Sequence, residues 1–492
     1  MRQKLHALHD RGMKFIRSAG FINTLALMIS SGTGFLSLLT WTRILTPTEF
    51  GNYALYGSFA LLINAMAFEW LRISVGRLIY AAKGPNNIDY DNLNSIITMY
   101  LVVVSAVVAA SIVTIAVMDV RGLDHGMLAI LTACYAISEM GIGFTAMAAR
   151  VRSKNYYFFW IMVGKSVLGF AFGLLFAAEF AMGAAGVLLG IVIGQMLVFA
   201  AALVLDPAYR MVKPLAWSRE ALRGVVALGG PIIITSALSY GSSVIDRYVI
   251  ALTLGAEEVG LYAAPVDLMQ KTIIFVMMSI STTTYPAIVR AFEDKGVEEA
   301  KKELEKNSVL QLGIALPFLA IFASLSPGIS NLFLGGSFRE YGAILIPVVA
   351  ITAILKSLLN FQISVALQMI KRTKYLVIAS LASGVFTTLF GYFGARFYGI
   401  EGVAVGVMVA QALTYAIGVI ILKSNISIRM MSGRIILIAV ASLAICAVLV
   451  PVRSYDSAIA TVLFSALAAS VYAILVMLLP RARIRAVGAR SR

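Results

Sequence analysis

Two cysteines and three histidines are all that the 492 residues hold of the side chains that most often bind metals or carry redox chemistry. Cys134 and Cys446 sit in separate apolar stretches with no C-x-x-C and no metal-ligand spacing, so they read as packing residues and leave the redox compartment open. His6 and His9 are one helical turn apart near the start, and His125 lies on the far side of several apolar runs, so no three-histidine centre assembles and a catalytic metal is not expected. Charge is also scarce, at 13% of residues, about half the share of a soluble domain. Polar segments are all short, which excludes a soluble catalytic domain and the long outer loop expected of a sugar polymerase or ligase.

What fills the chain instead is apolar: 60% of residues are hydrophobic and the mean hydropathy is +0.89. A spanning helix needs about 20 apolar residues. Such runs lie near 19–42, 52–76, 96–118, 126–149, 158–178, 184–205, 225–250, 260–289, 308–327, 342–370, 375–395, 402–422, 435–451 and 457–480. Hydrocarbon offers an open backbone amide no partner, so spanning chains are helices or closed barrels, and runs this continuous exclude barrel strands. The expectation is an all-α polytopic membrane protein of about fourteen transmembrane helices.

The 40 Lys and Arg outnumber the 24 Asp and Glu, for a formal net charge of +16. The excess is not evenly spread: every second loop and both ends are rich in cations, while the intervening loops hold only Arg43, Arg121, Arg339, Arg396 and Arg453. Positive residues are retained in the cytoplasm, which places both termini inside. The charge then reflects topology and contact with anionic lipid headgroups, and nucleic acid has no place as a partner. Residues 1–18 are not expected to be a cleaved signal, since Leu5, Leu8, Gly12, Phe15 and Ile16 are spaced for one helical face between Lys4, Arg11 and Lys14, and they are expected to lie on the inner surface.

One unit is used twice. Glu49-Phe50-Gly51-Asn52-Tyr53-Ala54 returns as Glu258-Val259-Gly260-Leu261-Tyr262-Ala263, a shift of 209, and Gly183, Gly186-Val187, Gly190, Gln195 and Leu197 return at a shift of 216 as Gly399, Gly402-Val403, Gly406, Gln411 and Leu413. The positive turn Arg150-Val151-Arg152-Ser153-Lys154 has a counterpart in Lys371-Arg372-Thr373-Lys374. These anchors divide the chain into an interfacial helix at 1–18, a six-helix bundle at 19–206, a cytoplasmic linker at 207–224, a second six-helix bundle at 225–423, an appended helix pair within 432–480 and a basic tail at 481–492. Six is an even number, so the halves insert the same way, as parallel repeats do in transporters. Pro231, Pro265, Pro286, Pro317 and Pro347 fall in or beside spans, where each removes a backbone hydrogen bond and permits a fixed bend or a hinge.

Two motifs fail on context. Gly164-Lys165-Ser166 lacks the glycine five residues earlier that a phosphate loop requires, and Gly141-Ile142-Gly143 sits inside a span, where small residues allow close helix packing. The ionisable residues inside spans carry more information, because each costs on the order of 2.5 to 3.5 kcal/mol to insert and faces a partner or a watery cavity. The cations are Arg72, Lys165, Arg247, Lys271 and Lys356, and the acids are Glu69, Glu139, Asp246 and Asp267. Glu69 with Arg72, and Asp267 with Lys271, are spaced to pair on one helix face, as structural ion pairs or as functional groups. Asp246 and Arg247 are neighbours in sequence and diverge around the helix, and Arg247 lies near the outer end, within reach of water. Lys165 and Lys356 have no acid one turn away and are the foremost candidates for binding an anion, with a Glu139 to Lys356 pair as the structural alternative. Read along the membrane, the cations resemble a path for phosphate groups, and Glu139, Asp246 and Asp267 are candidates for the coupling ion, a proton or sodium.

Thr42-Arg43-Ile44-Leu45-Thr46-Pro47-Thr48-Glu49-Phe50-Gly51-Asn52-Tyr53-Ala54, after the first span, resembles the opening of bacterial polysaccharide-repeat-unit flippases. So does Ser243-Val244-Ile245-Asp246-Arg247 ahead of Gly260-Leu261-Tyr262-Ala263. The likeness extends over nearly the whole chain in span number and repeat layout, and points to the polysaccharide transport branch of the multidrug/oligosaccharidyl-lipid/polysaccharide exporter superfamily. It implies a protein of the bacterial inner membrane that moves an undecaprenyl-diphosphate-linked oligosaccharide by alternating access of two bundles around a cationic cavity. The driving force it implies is a proton or sodium gradient, with no bound cofactor and no enzymatic activity, and its implied partners are a polysaccharide polymerase and a chain-length regulator. On that reading Arg72, Lys165, Lys271 and Lys356 contact the diphosphate or acidic sugars, and Arg43 and Arg247 lie toward the exit. The last two spans either groove a polyprenyl tail or pack peripherally. A multidrug exporter of the same fold is the nearest rival, set back by cations that outnumber acids in the spans.

Overall fold

The computed structural model describes residues 19–78, 89–117, 123–213, 217–370, 372, 374–425, 433–449 and 461–472. The expected interfacial helix at 1–18, with His6 and His9, the tail at 481–492, and Arg121 and Arg453 lie outside the described residues. Every predicted span carries a helix. In chain order these are α1 (Ala19–Ile44), α2 (Pro47–Ala67) with α3 (Glu69–Leu78), α4 (Tyr90–Val117), α5 (Leu123–Val151), α6 (Asn155–Leu174), α7 (Gly183–Leu205) and α8 (Arg219–Thr253). They continue as α9 (Ala256–Met269) running into α10 (Phe275–Lys295), α11 (Val297–Ser324), the short α12 (Ser326–Phe333), and α13 (Arg339–Leu358) running into α14 (Ser364–Met369). The chain closes with α15 (Lys374–Asn425), α16 (Gly433–Leu449) and α17 (Thr461–Tyr472). The protein is a multi-pass, all-helical membrane protein.

Departures from straight helices have local causes. The axes of α2 and α3 bend by 45°, where the Trp70 indole N–H donates to the Ala67 carbonyl at 2.8 Å. Two π-helical turns, Gln270–Ile274 and Leu359–Ile363, insert a residue into otherwise continuous helices, and a third, Leu175–Glu179, ends α6. In the turn at Leu359–Ile363 the Phe361 carbonyl accepts from the amides of Asn307 and Gln311 at 3.3 and 3.4 Å, partners that hydrocarbon itself cannot offer. Pro265, Pro286, Pro317 and Pro347 all sit inside helices.

The second repeated motif now has a physical meaning. Gly183 and Gly399 occupy left-handed backbone, at φ 53° and 59°, which glycine adopts without the steric cost of a Cβ. Each turns the chain between two helices: α6 gives way to α7, and α15 breaks at Tyr398–Gly399 into two arms, the predicted eleventh and twelfth spans. The glycines that follow line the seams of these hairpins. A methyl group at Gly186, Gly190 or Gly194 would overlap the backbone of α6 and its π-turn at Phe176, Gly173 and Gly169, and one at Gly402 or Gly406 would overlap the carbonyls of Gly394 and Phe390. Backbones approach this closely only where side chains are absent, and that packing replaces the hydrophobic driving force that a membrane cannot supply between helices.

Contacts group the residues into two compact units, one of Met1–Leu45 and Asn52–Gly241, the other of Thr46–Gly51 and Ser242–Arg492, with the division inside α8. The first has a core of Phe68, Trp70, Leu71, Val75, Ile96, Met140 and Phe144 drawn from α2 to α5. The second packs Ile288, Ala300, Leu304, Ile363, Ala366, Leu367 and Leu422 from α10, α11, α14 and α15. Within it the two copies of the first motif meet: a Cβ on Gly51 would overlap the Ala256 carbonyl, and one on Gly260 the Pro47 carbonyl. The contact is reciprocal, as expected when one ancestral unit crosses its own copy.

This crossing makes a prediction. Gly51→Ala and Gly260→Ala should each lower the thermal unfolding midpoint of the detergent-solubilised protein by several degrees. Gly57→Ala, on the same helix with nothing within 4 Å of the new methyl, should be neutral or stabilising by up to about 1 kcal/mol.

Candidate functional site

Most charges inside the spans collect into one cluster in each unit. In the second unit α8 brings Asp246 and Arg247, α9 brings Tyr262 and Asp267, the following π-turn brings Lys271, and α13 brings Lys356. Asp246 is 3% exposed and Arg247 9%, so neither is solvated by bulk water. The Tyr262 hydroxyl donates to Asp246 Oδ2 at 3.0 Å, and Lys356 Nζ stands 3.9 Å from the same oxygen. Arg247 Nη2 donates to Asp267 Oδ1 at 2.5 Å. Lys271 is close enough to feel both Asp267 and Arg247. Among the described residues three cations thus face two carboxylates in a low-dielectric setting, where electrostatic interactions are strongest.

Three of these arrangements differ from the spacing-based expectation. Asp267 takes Arg247 as its partner, with no ion pair to Lys271 within the 4 Å of a salt bridge, because the π-turn begins at Gln270 and widens the turn between the two residues. Arg247 is buried against Asp267 and does not reach outward to water. Glu139 takes Lys165 as its partner, and the acid beside Lys356 is Asp246.

The first unit holds a tighter, neutral network. Glu139 on α5 accepts Lys165 Nζ on α6 at 2.8 Å and the Gln195 amide on α7 at 2.6 Å, and Gln195 in turn accepts the Ser138 hydroxyl at 2.5 Å. The four side chains Ser138, Glu139, Lys165 and Gln195 are thereby joined in one chain of hydrogen bonds. Beside it Arg72 pairs with Glu69 one turn back on α3, as its spacing predicted. The Arg72 side chain remains 43% exposed and lies along Gly143, whose missing Cβ makes room for it. Gly141 and Gly164 likewise face Phe199 and Val198, so the two rejected phosphate-loop and dinucleotide-like motifs are packing glycines. Arg43, in the first unit, donates to the Leu39 carbonyl near the end of α1.

With this geometry in hand, a family model described as polysaccharide biosynthesis protein matches residues 40–343. The chain belongs to the polysaccharide biosynthesis protein family. No curated protein matches the sequence. Among solved structures it is similar to the lipid II flippase MurJ in an inward closed conformation, with a TM-score of 0.75 and 16% identity over 94% of this chain and 100% of that one. It is also similar to a multidrug resistance MATE family transporter of the MOP superfamily, inward-facing, with a TM-score of 0.62 and 16% identity over 82% of this chain and 98% of that one. An outward-facing conformation of a MATE transporter matches with a TM-score of 0.52. These likenesses show that a member of the polysaccharide biosynthesis family has the fold of membrane transporters.

Sequence reasoning had not assigned Tyr262, Gln195 or Ser138 to this chemistry. Two of the three were signalled, since Tyr262 repeats Tyr53 and Gln195 repeats Gln411. Gln411 takes its hydrogen bonds from a different set, donating to the hydroxyls of Ser383 and Thr387, so the second copy has kept the buried amide and lost the charged pair.

The Glu139–Lys165 pair should behave as a unit. Glu139→Gln and Lys165→Met should each destabilise the protein. The double variant should be more stable than the sum of the two effects, with a coupling on the order of 0.5 to 3 kcal/mol in thermal unfolding of the purified protein. Simple additivity would show that the two side chains do not pair.

Proposed function

We propose that this chain translocates an undecaprenyl-diphosphate-linked oligosaccharide repeat unit across the bacterial inner membrane, for assembly of a surface polysaccharide. Family membership and a transporter fold support transport of a lipid-linked substrate in general. The observation that carries the finer reading is the membrane-buried cluster in which Arg247, Lys271 and Lys356 outnumber Asp246 and Asp267. A diphosphate suits such a cluster, since Lys offers a movable point charge and Arg a fork of donors. A cationic drug does not, which sets this reading above multidrug export. The lipid tail stays in the bilayer while only phosphates and sugars cross, so the protein needs polar groups in its interior and no enzyme chemistry.

Arg72, Lys165, Lys271 and Lys356 are proposed to contact the diphosphate or acidic sugars, with Arg43 and Arg247 on the same route. Glu139, Asp246 and Asp267 are proposed as the ion-coupling groups. Each carboxylate already neutralises a cation, so a proton or sodium ion arriving on the acid releases that cation for phosphate, and departure of the ion restores the pair and expels the cargo. The separation of 3.9 Å makes Lys356 and Asp246 the more easily parted couple, whereas Lys165 is held at 2.8 Å. The loop charges support cytoplasmic termini, and a polysaccharide polymerase and chain-length regulator are the expected downstream partners.

Replacing Lys165 and Lys356 together by Ala should abolish transport beyond any loss of inserted protein, the amount in the membrane being measured beside it. The readout is mass spectrometry of undecaprenyl-diphosphate-linked oligosaccharide beside surface polymer in a deletion strain complemented with the variant. Lipid-linked unit held on the cytoplasmic leaflet, with surface polymer lost, is the expected outcome, and undiminished polymer would remove these lysines from the cargo path.

A further inference from the structure

The first unit contains a groove of about 570 Å³ that the charged clusters do not touch. Its walls are Ile97, Tyr100 and Leu101 of α4, Gly141 and Phe144 of α5, and Phe199, Leu203 and Val204 of α7, almost all of them carbon surface. Leu101 and Val204 on its rim are 40% and 69% exposed, which on a spanning helix means exposed to lipid. One end is closed by the turn after α7, where Tyr209, Arg210 and Val212 complete the lining.

That end is built, not frayed. Asp206, 2% exposed, accepts the Ala208 N–H at 3.1 Å and so caps the 3₁₀ turn Pro207–Met211. It also binds the side chains of Arg152 and Lys154 from the turn between α5 and α6. Further along, the Lys213 N–H donates to Asn94 Oδ1 at 3.0 Å and the Ser218 N–H to Ser95 Oγ at 3.2 Å, both on α4. The strap is thereby pinned on either side of Arg210, an exposed residue with no acid partner among the described residues. Since α7 is 23 residues long, enough to cross the hydrocarbon, the strap sits at headgroup depth.

We propose that this groove binds an anionic phospholipid, with one acyl chain along α4, α5 and α7 and the headgroup phosphate on Arg210. An apolar channel of this volume that opens sideways to lipid and ends in one unpaired cation at the interface is complementary to a single hydrocarbon chain with a negative head. It is too small for a long polyprenyl tail, which separates the site from the cargo proposed above and makes the inference independent of that reading. An anionic headgroup gains from a basic side chain here what a zwitterionic one does not.

The test is native mass spectrometry of the full-length protein in detergent, with phosphatidylglycerol and phosphatidylethanolamine of matched chains added in equal amounts. The wild type should retain phosphatidylglycerol over phosphatidylethanolamine by about fivefold, the factor for one basic group at the surface. Arg210→Gln should bring the ratio to about one with total lipid retained, while Leu101→Trp, which fills the groove from its exposed rim, should lower both adducts together. Equal retention by the wild type, or an unchanged preference in Arg210→Gln, would overturn the proposal. Displacement of phosphatidylglycerol by an equal amount of undecaprenyl phosphate would overturn it as well, by giving the groove to the cargo.

Discussion

Hydrocarbon gives a backbone amide nothing to bond with and gives two helices no hydrophobic reason to associate. Both halves of that constraint are met by the same means throughout this protein. The first is met by continuous helices, and at the π-turn Leu359–Ile363 the side-chain amides of Asn307 and Gln311 bond the Phe361 carbonyl as well. The second is met by removing side chains at the contacts, so that backbones touch and dispersion forces do what burial does in water. The glycine seams of α6 with α7 and of the two arms of α15, and the reciprocal crossing at Gly51 and Gly260, are where this is done most closely. Gly51, Gly186 and Gly190 recur between the halves as Gly260, Gly402 and Gly406, where a Cβ would overlap backbone in both copies, while Gly194 is matched by Ala410.

Inside that frame charge is expensive and therefore concentrated. The first unit balances Glu139 against Lys165 and spends two polar side chains to satisfy what remains. The second leaves three cations to two carboxylates, with Tyr262 holding Asp246 in place. A buried ion pair is weak as a source of stability and strong as a switch, since protonating one carboxylate strands its cation and changes what the neighbourhood attracts. The two clusters differ in balance: Glu139 and Lys165 neutralise each other in the first unit, whereas in the second Arg247, Lys271 and Lys356 stand against Asp246 and Asp267.

Legibility varied with the range of the interaction. Helix number, span positions and the pair Glu69 with Arg72 were readable because hydropathy and spacing along one helix are local properties. The repeat glycines were readable as a pattern but not as a cause until Gly183 and Gly399 were seen turning the chain. Partners across helices were not readable: Lys165 finds Glu139 26 residues earlier on another helix, and Arg247 finds Asp267 across a turn. The one same-helix pairing that failed, Asp267 with Lys271, failed because a π-turn changed the residues per turn, and no residue type announces such a turn.

The sequence by itself determined that the chain is helical and membrane-spanning, that it contains a parallel repeat, and which ionisable residues must lie within hydrocarbon, because each follows from composition, period or the cost of burying charge. The tertiary structure alone decided which acid pairs with which cation among the described residues and that an apolar groove on α4, α5 and α7 is lined at one end by Arg210. Those outcomes depend on the rotation and crossing of helices, which are set by where glycines let backbones touch and where an inserted residue shifts the register, and neither is a property of any one segment.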